Sequence, residues 1–262
     1  MVARALADAG LYAGEHADLL AEQSDNPLGF WERRDVVELN DEVLAANGGG
    51  WYRPPGQLTI SDDQRQRARA ILESMPADRG WLLKDPRLLL TWPLWRPALD
   101  NAVLLYVYRG PMAVASSLQR RNGFPLQLGL GLWQHYNHAA LEILAGEAFI
   151  PVSYDAVAET PALLTSLSQQ LAAQGVPCET VAAGAFEASL QHESEQAVPE
   201  PVLSDQLDAL ASFCRELCEQ PREVAIADIP ATDPGLRWQL DDLGAAFATL
   251  HQGRDLALHR LD

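Results

Sequence analysis

Apolar positions along this chain follow two rhythms. Short unbroken runs occur at 81–84, ending on Lys84, at 102–108 (Ala-Val-Leu-Leu-Tyr-Val-Tyr) and at 148–153 (Ala-Phe-Ile-Pro-Val-Ser). Runs of this length predict strands of a parallel sheet buried on both faces. Each is followed by helical periodicity, at 88–99, 111–122 and 160–173, and further helical patterns cover 33–46, 61–74, 126–146, 203–219 and 231–252. Strand–helix alternation predicts an α/β fold. We expect a single domain over 1–262, with residues 176–262 a mostly helical extension. Ser61 with Gln64 three residues later predicts a capping box. Gly48-Gly49-Gly50 and Pro54-Pro55-Gly56 mark a loop between two helices, and the acidic stretch 191–201 predicts a surface loop.

Charge sharpens this picture once it is divided. Residues 1–121 carry 14 Lys+Arg and 16 Asp+Glu, whereas residues 122–262 carry 5 and 20, so nearly all of the net charge of −17 lies in the second half. So acidic a body argues against nucleic-acid or anionic-membrane binding. A site for an anion must therefore be built from the first half. No apolar run is long enough for a membrane span, and no signal peptide opens the chain. Cys178, Cys214 and Cys218 lack metal-ligand spacing and read as small buried or free thiols of a reducing cytosol.

Lys84 is the only lysine of the chain, and every other cationic side chain is an arginine. It stands where an apolar run breaks into Asp85-Pro86-Arg87, a place that suits a compact, strongly hydrated point charge. A second constellation is the strand–turn–helix at 102–121. There Arg109 ends a strand, Gly110 permits the turn, and Pro111 is pre-set for a first helical position. Ligands of open α/β sheets bind beyond the carboxyl ends of the strands. Arg109 either holds an anion there, with Ser117 about 9 Å along the helix and Arg121 one turn further, or pairs with a surface carboxylate.

Arg109-x-Pro111 with Ser117 eight residues after the arginine resembles the 3′-phosphate motif of the sulfotransferases that use 3′-phosphoadenosine 5′-phosphosulfate (PAPS). Lys84-Asp85-Pro86 resembles the strand-end lysine motif of that family. Gly131-Leu132-Trp133-Gln134-His135-Tyr136-Asn137 resembles a helix of its bacterial branch, and Val152-Ser153-Tyr154-Asp155 resembles the segment beside the adenine. Asn26-Pro27-Leu28-Gly29-Phe30-Trp31-Glu32 and Leu39-Asn40-Asp41 also read like the bacterial branch. The likeness covers about residues 1–175.

The resemblance implies a three-layer, P-loop-kinase-like parallel sheet flanked by helices. It also implies transfer of a sulfuryl group from PAPS to a hydroxyl or amine of a small molecule or saccharide, with no metal. Lys84 would act on the transferring group, Glu32 would take the acceptor's proton with Asp85 as the other candidate, Arg109, Ser117 and Arg121 would hold the 3′-phosphate, and Tyr154 would lie by the adenine. The family's opening strand and Gly/Ser-rich 5′-phosphosulfate loop have no counterpart in this sequence, and Met1–Leu11 resembles the helix after that loop. Two expectations follow: a native form extending upstream of Met1, or a truncated or degenerate member without catalysis that acts as a nucleotide-binding or interaction protein. A small-molecule kinase is disfavoured, since no Gly-x-x-x-x-Gly-Lys-Ser/Thr occurs.

Overall fold

The computed structural model describes residues 1–21, 29–181 and 203–258. Asn26, Pro27 and Leu28 of the early motif, and the acidic stretch 191–201, lie outside the described residues. Among the described residues, ten α-helices and two strands follow one another as α1 (Val2–Asp8), α2 (Arg34–Ala46), α3 (Asp62–Glu73), α4 (Leu88–Trp95), β1 (Leu104–Tyr108), α5 (Pro111–Asn122), α6 (Leu126–Leu144), β2 (Phe149–Ser153), α7 (Tyr154–Glu159), α8 (Ala162–Ala173), α9 (Asp205–Glu219) and α10 (Pro234–Leu258). The strands pair in parallel, Leu104 opposite Phe149 through Tyr108 opposite Ser153. The α/β class therefore holds, with a small sheet among many helices.

Alternation along the strands loads both faces of this sheet. Tyr106 and Tyr108 point into a core shared with α6 and α9, where they meet Trp133, Leu141, Leu210 and Cys214. Leu105, Ile150 and Val152 point the other way, against Leu6 of α1 and Leu164, Leu167 and Leu171 of α8. A third core joins α2, α3 and α4 through Val36, Leu39, Ala68, Leu94 and Trp95. The N-terminus of α3 is closed reciprocally: Gln64 N donates to Ser61 Oγ (3.2 Å), and Ser61 N donates to Gln64 Oε1 (3.0 Å).

Two expectations change in detail. The run at 81–84 forms one parallel bridge, Trp81 to Tyr12, rather than a strand of the ladder. An extended segment needs a partner along its length, and among the described residues its backbone bonds only to Tyr12, through Tyr12 N to Gly80 O and Leu82 N to Tyr12 O, both 2.9 Å. Helix α4 kinks at Thr91 (φ −100°, ψ 15°), two residues before Pro93, and yields to a 3₁₀ turn at Arg96–Ala98. A proline removes a helical donor and crowds the preceding turn, which accounts for the break. The run Gly48-Gly49-Gly50 spends its amides on the chain itself, on Ala45 O, Leu44 O and Arg53 O. A Cβ on Gly49 would fall 2.7 Å from Arg53 O, so this glycine serves a close backbone approach.

Candidate functional site

The Asp85-Pro86 turn is built by its own side chain. Asp85 Oδ1 accepts from Arg87 N at 2.9 Å, which closes the turn that leads into α4, and Lys84 and Arg87 both reach Glu32. Lys84 Nζ forms a short ion pair with Glu32 Oε1, across 52 residues of sequence. Arg87 Nη1 lies 3.7 Å from the other oxygen, Glu32 Oε2. The lysine side chain is 40% exposed and the glutamate 7%, so the pair has one wet end and one dry end. Glu32 does not pair with its sequence neighbours: Arg33 bonds to Asp35, and Arg34 donates to Leu19 O. Trp31, just before it, takes a left-handed backbone (φ 57°), which is uncommon for a bulky residue and is found where the surroundings over-determine the chain.

Behind this pair lies a buried polar network. Asn40, wholly buried on α2, donates from Nδ2 to Asp85 Oδ2 (2.8 Å). Its Oδ1 accepts from Thr91 Oγ1 and Trp95 Nε1, both at 2.8 Å. Arg87 donates from Nε to Asp41 Oδ1 (2.7 Å) and from Nη1 to Asp85 Oδ1 (2.9 Å). Burial pulls the Arg87 guanidinium down, yet Asp85, Asp41 and Glu32 together hold it above its ordinary value. Burial raises the Asp41 carboxyl against the opposing pull of Arg87. Both oxygens of Asp85 are occupied and its side chain is 0% exposed. Asp85 therefore serves as a strut, which leaves Glu32 as the carboxylate on Lys84. The amino group of Met1, at the start of α1, is held below its ordinary value by burial and then by the charges of Lys84 and Arg4.

The second cluster sits at the carboxyl ends of the paired strands. Arg109, one residue past β1, lays its guanidinium 4.5 Å over the ring of Tyr154, one residue past β2. Its carbonyl accepts from Trp133 Nε1 of α6 at 2.8 Å. Gly110 caps α5 in extended backbone and Pro111 follows as the first helical residue. Ser117 is half-buried two turns along α5, and Arg121 lies exposed in its last turn, with Nε donating to Asn122 Oδ1 (2.9 Å). Ser153 caps α7 by accepting from Ala156 N (3.2 Å), which fixes Tyr154 at the helix start.

Helix α6 ties the two clusters together. Trp133 reaches the Arg109 turn, and Asn137 accepts from Tyr106 OH (2.7 Å). Tyr136 donates to Trp51 O (2.7 Å), and its phenol, raised mainly by burial, feels the charges of Arg87, Asp85 and Asp41. Trp133 and Tyr136 are separated by about 4.5 Å of helical rise.

Of the residues picked out in the sequence, the fold joins Lys84 to Glu32 and Arg109 to Tyr154, and it places Ser117 and Arg121 on the helix that leaves Arg109. Sequence reasoning passed over Arg87 and the bracing role of Asn40. The available signal was an asparagine set among Val36, Leu39, Val43 and Leu44 on the buried face of α2. Among the described residues no group of three His, Cys, Asp or Glu could hold a metal ion, and no helix is long and apolar enough to cross a membrane. No family model, curated protein or solved structure matches the chain.

Proposed function

We propose that this protein binds PAPS and transfers its sulfuryl group to a hydroxyl or amine acceptor, on a P-loop-kinase-like variant of the α/β fold. The observation that carries the reading is the stack of Arg109 on Tyr154. The two residues belong to separate motifs and meet at the carboxyl ends of adjacent parallel strands, where α/β sheets bind ligands. A guanidinium fork suits a phosphate, and an aromatic ring beside it suits an adenine. Arg109 takes the 3′-phosphate with Ser117 and Arg121, and Tyr154 lies by the base.

Lys84 meets the sulfuryl end. The acceptor oxygen or nitrogen forms a bond to sulfur as the bond from sulfur to the bridging 5′-phosphate oxygen breaks. Adenosine 3′,5′-bisphosphate departs with that bond's electron pair, and Glu32 receives the acceptor's proton before releasing it to solvent. Charge builds on the bridging oxygen, so an ammonium placed there lowers the barrier more than it tightens ground-state binding. In the ligand-free protein Glu32 is engaged by Lys84 and is freed as base only when Lys84 turns to the donor.

One observation favours the rival reading of a nucleotide-binding protein without transfer. The glycine run that could have offered phosphate-binding amides uses them within its own turn.

Adenosine 3′,5′-bisphosphate should raise the melting temperature of the protein, and Arg109→Ala should abolish the rise. The lost charge-assisted contact is worth roughly 1.5–3 kcal/mol, a tenfold or greater loss of affinity. An equal shift in the variant would reject this placement of the phosphate. Incubation with PAPS carrying a labelled sulfuryl group separates the two readings: label leaving the nucleotide for a panel of alcohols, phenols and amines supports transfer, and binding without release supports the rival.

A further inference from the structure

Glu32 is held by two cations of unlike character. Lys84 is 40% exposed and reaches Oε1 by a flexible four-carbon stem. Arg87 is 16% exposed and lies 3.7 Å from Oε2, with its guanidinium clamped by Asp41 and Asp85. Asp85 is in turn held by Asn40, which is itself braced by Thr91 and Trp95. The lysine is therefore free to leave, and the arginine is not. If Lys84 were the sole counter-ion of Glu32, its departure toward a ligand would strand a carboxylate that is only 7% exposed, which is strongly unfavourable.

We propose that Arg87 is a positioning residue: the permanent counter-ion of Glu32, whose presence lets Lys84 change partners from Glu32 to an anionic ligand. This rests on the nucleotide reading above, and it extends that reading to a residue that touches neither nucleotide nor acceptor. Among the described residues, the groups that bear on the pair are Lys84 on the wet side, the half-buried Met1, Asp41 from α2, Asp85 and Arg87 from the turn before α4, and Tyr136 from α6. Apart from Met1, whose amino group acts on Lys84, all of these contact or act upon Arg87 or Glu32. Without Arg87, Glu32 would keep Lys84 for itself.

Because Lys84 is the only lysine, protein grown on lysine labelled with ¹³C at Cε gives one lysine signal, which reports its partner directly. In the wild type, adenosine 3′,5′-bisphosphate should move that signal, and adenosine 3′-monophosphate, which lacks a 5′-phosphate, should not. In Arg87→Gln the signal should stay in place, with bisphosphate affinity down about tenfold and 3′-monophosphate affinity unchanged. Adding Glu32→Gln to Arg87→Gln should restore bisphosphate affinity, because no carboxylate then competes for Lys84. A merely structural role for Arg87 would lower both affinities together and would not be rescued by a second substitution. Where Arg87→Gln does not fold, Arg87→Lys, which keeps the charge but cannot span Asp85 and Glu32 together, should give the same pattern more weakly.

A bisphosphate affinity in Arg87→Gln within twofold of wild type, or a double variant no better than the single one, overturns the inference. Wild-type protein that binds neither nucleotide overturns the nucleotide reading and the exchange of partners with it. A ligand-free arm then still decides the counter-ion role. Acetylation of Lys84 by an N-hydroxysuccinimide ester, followed by mass spectrometry, should be about threefold slower in Arg87→Gln, and an unchanged rate rejects Arg87 as the counter-ion.

Discussion

Asn40 shows what one polar side chain does in an apolar helix face. It is 0% exposed, and both ends of its amide are used, one on Asp85 and the other on Thr91 and Trp95. Truncation would leave an indole N–H and a carboxylate oxygen short of partners in a buried place, while the Thr91 hydroxyl keeps Arg87 O at 3.0 Å. Each unsatisfied group costs about 1–3 kcal/mol, so Asn40→Ala should destabilise the fold by roughly 3 kcal/mol, at the severe end for a single substitution. Urea unfolding measures it as a lower midpoint at unchanged slope; a loss under about 1 kcal/mol would mean the network relaxes around the gap. The cysteines illustrate the opposite outcome. Burial pushes the Cys214 and Cys218 thiols up to about 11 and about 12, and a thiol so seldom ionised is a poor nucleophile, in line with packing rather than redox chemistry.

At the scale of elements, α6 is the strut of the molecule, and its seam with α10 carries a pH-sensitive group. Gly131 of α6 leaves 2.9 Å between a would-be Cβ and Leu236 O, so the two helices approach closely there. Gln134 clamps the start of α10, donating to Asp233 O (3.1 Å) and accepting from Asp233 N (2.7 Å). His135 lies in the same seam, 3.4 Å from Arg237 Nη1. Burial, then the charges of Arg237 and His138, lower its imidazole to about 4. The unfolded chain takes up this proton near the ordinary value of about 6.5, and the folded one only near 4. The folded state is therefore favoured in full above pH 6.5, and this contribution is lost as pH falls from 6.5 toward 4. Thermal melting across that window should show a falling midpoint in the wild type and a flatter profile in His135→Gln. Parallel profiles for the two proteins would remove His135 from the account.

Over the whole molecule, the acidic second half and the cationic clusters of the first half respond oppositely to salt. Raising ionic strength from about 0.01 to about 1 M shortens the screening length from about 30 to about 3 Å. Self-repulsion of a chain of net charge −17 should then relax, and the melting temperature should rise by a few degrees while affinity for adenosine 3′,5′-bisphosphate falls. A melting temperature indifferent to salt would mean that the charge excess is too dispersed to strain the fold. By itself, the sequence determined the longer helices, the two strands that pair, the capping box at Ser61 and the turns at Gly110 and Asp85, because each rests on local periodicity, φ preference or a side chain bonding its own backbone; the short helix α7 carried no such signal. It also singled out Lys84 and Arg109, through residue type at the ends of predicted elements, whereas Glu32 and Tyr154 were marked only by the resemblance to a known family. Only the tertiary structure decided that the run at 81–84 meets Tyr12 in a lone bridge, that both oxygens of Asp85 are spent, and that Arg87 shares Glu32 with Lys84. Those outcomes depend on which segments, far apart along the chain, are brought side by side by the burial of apolar cores, and short-range pattern carries no record of that choice.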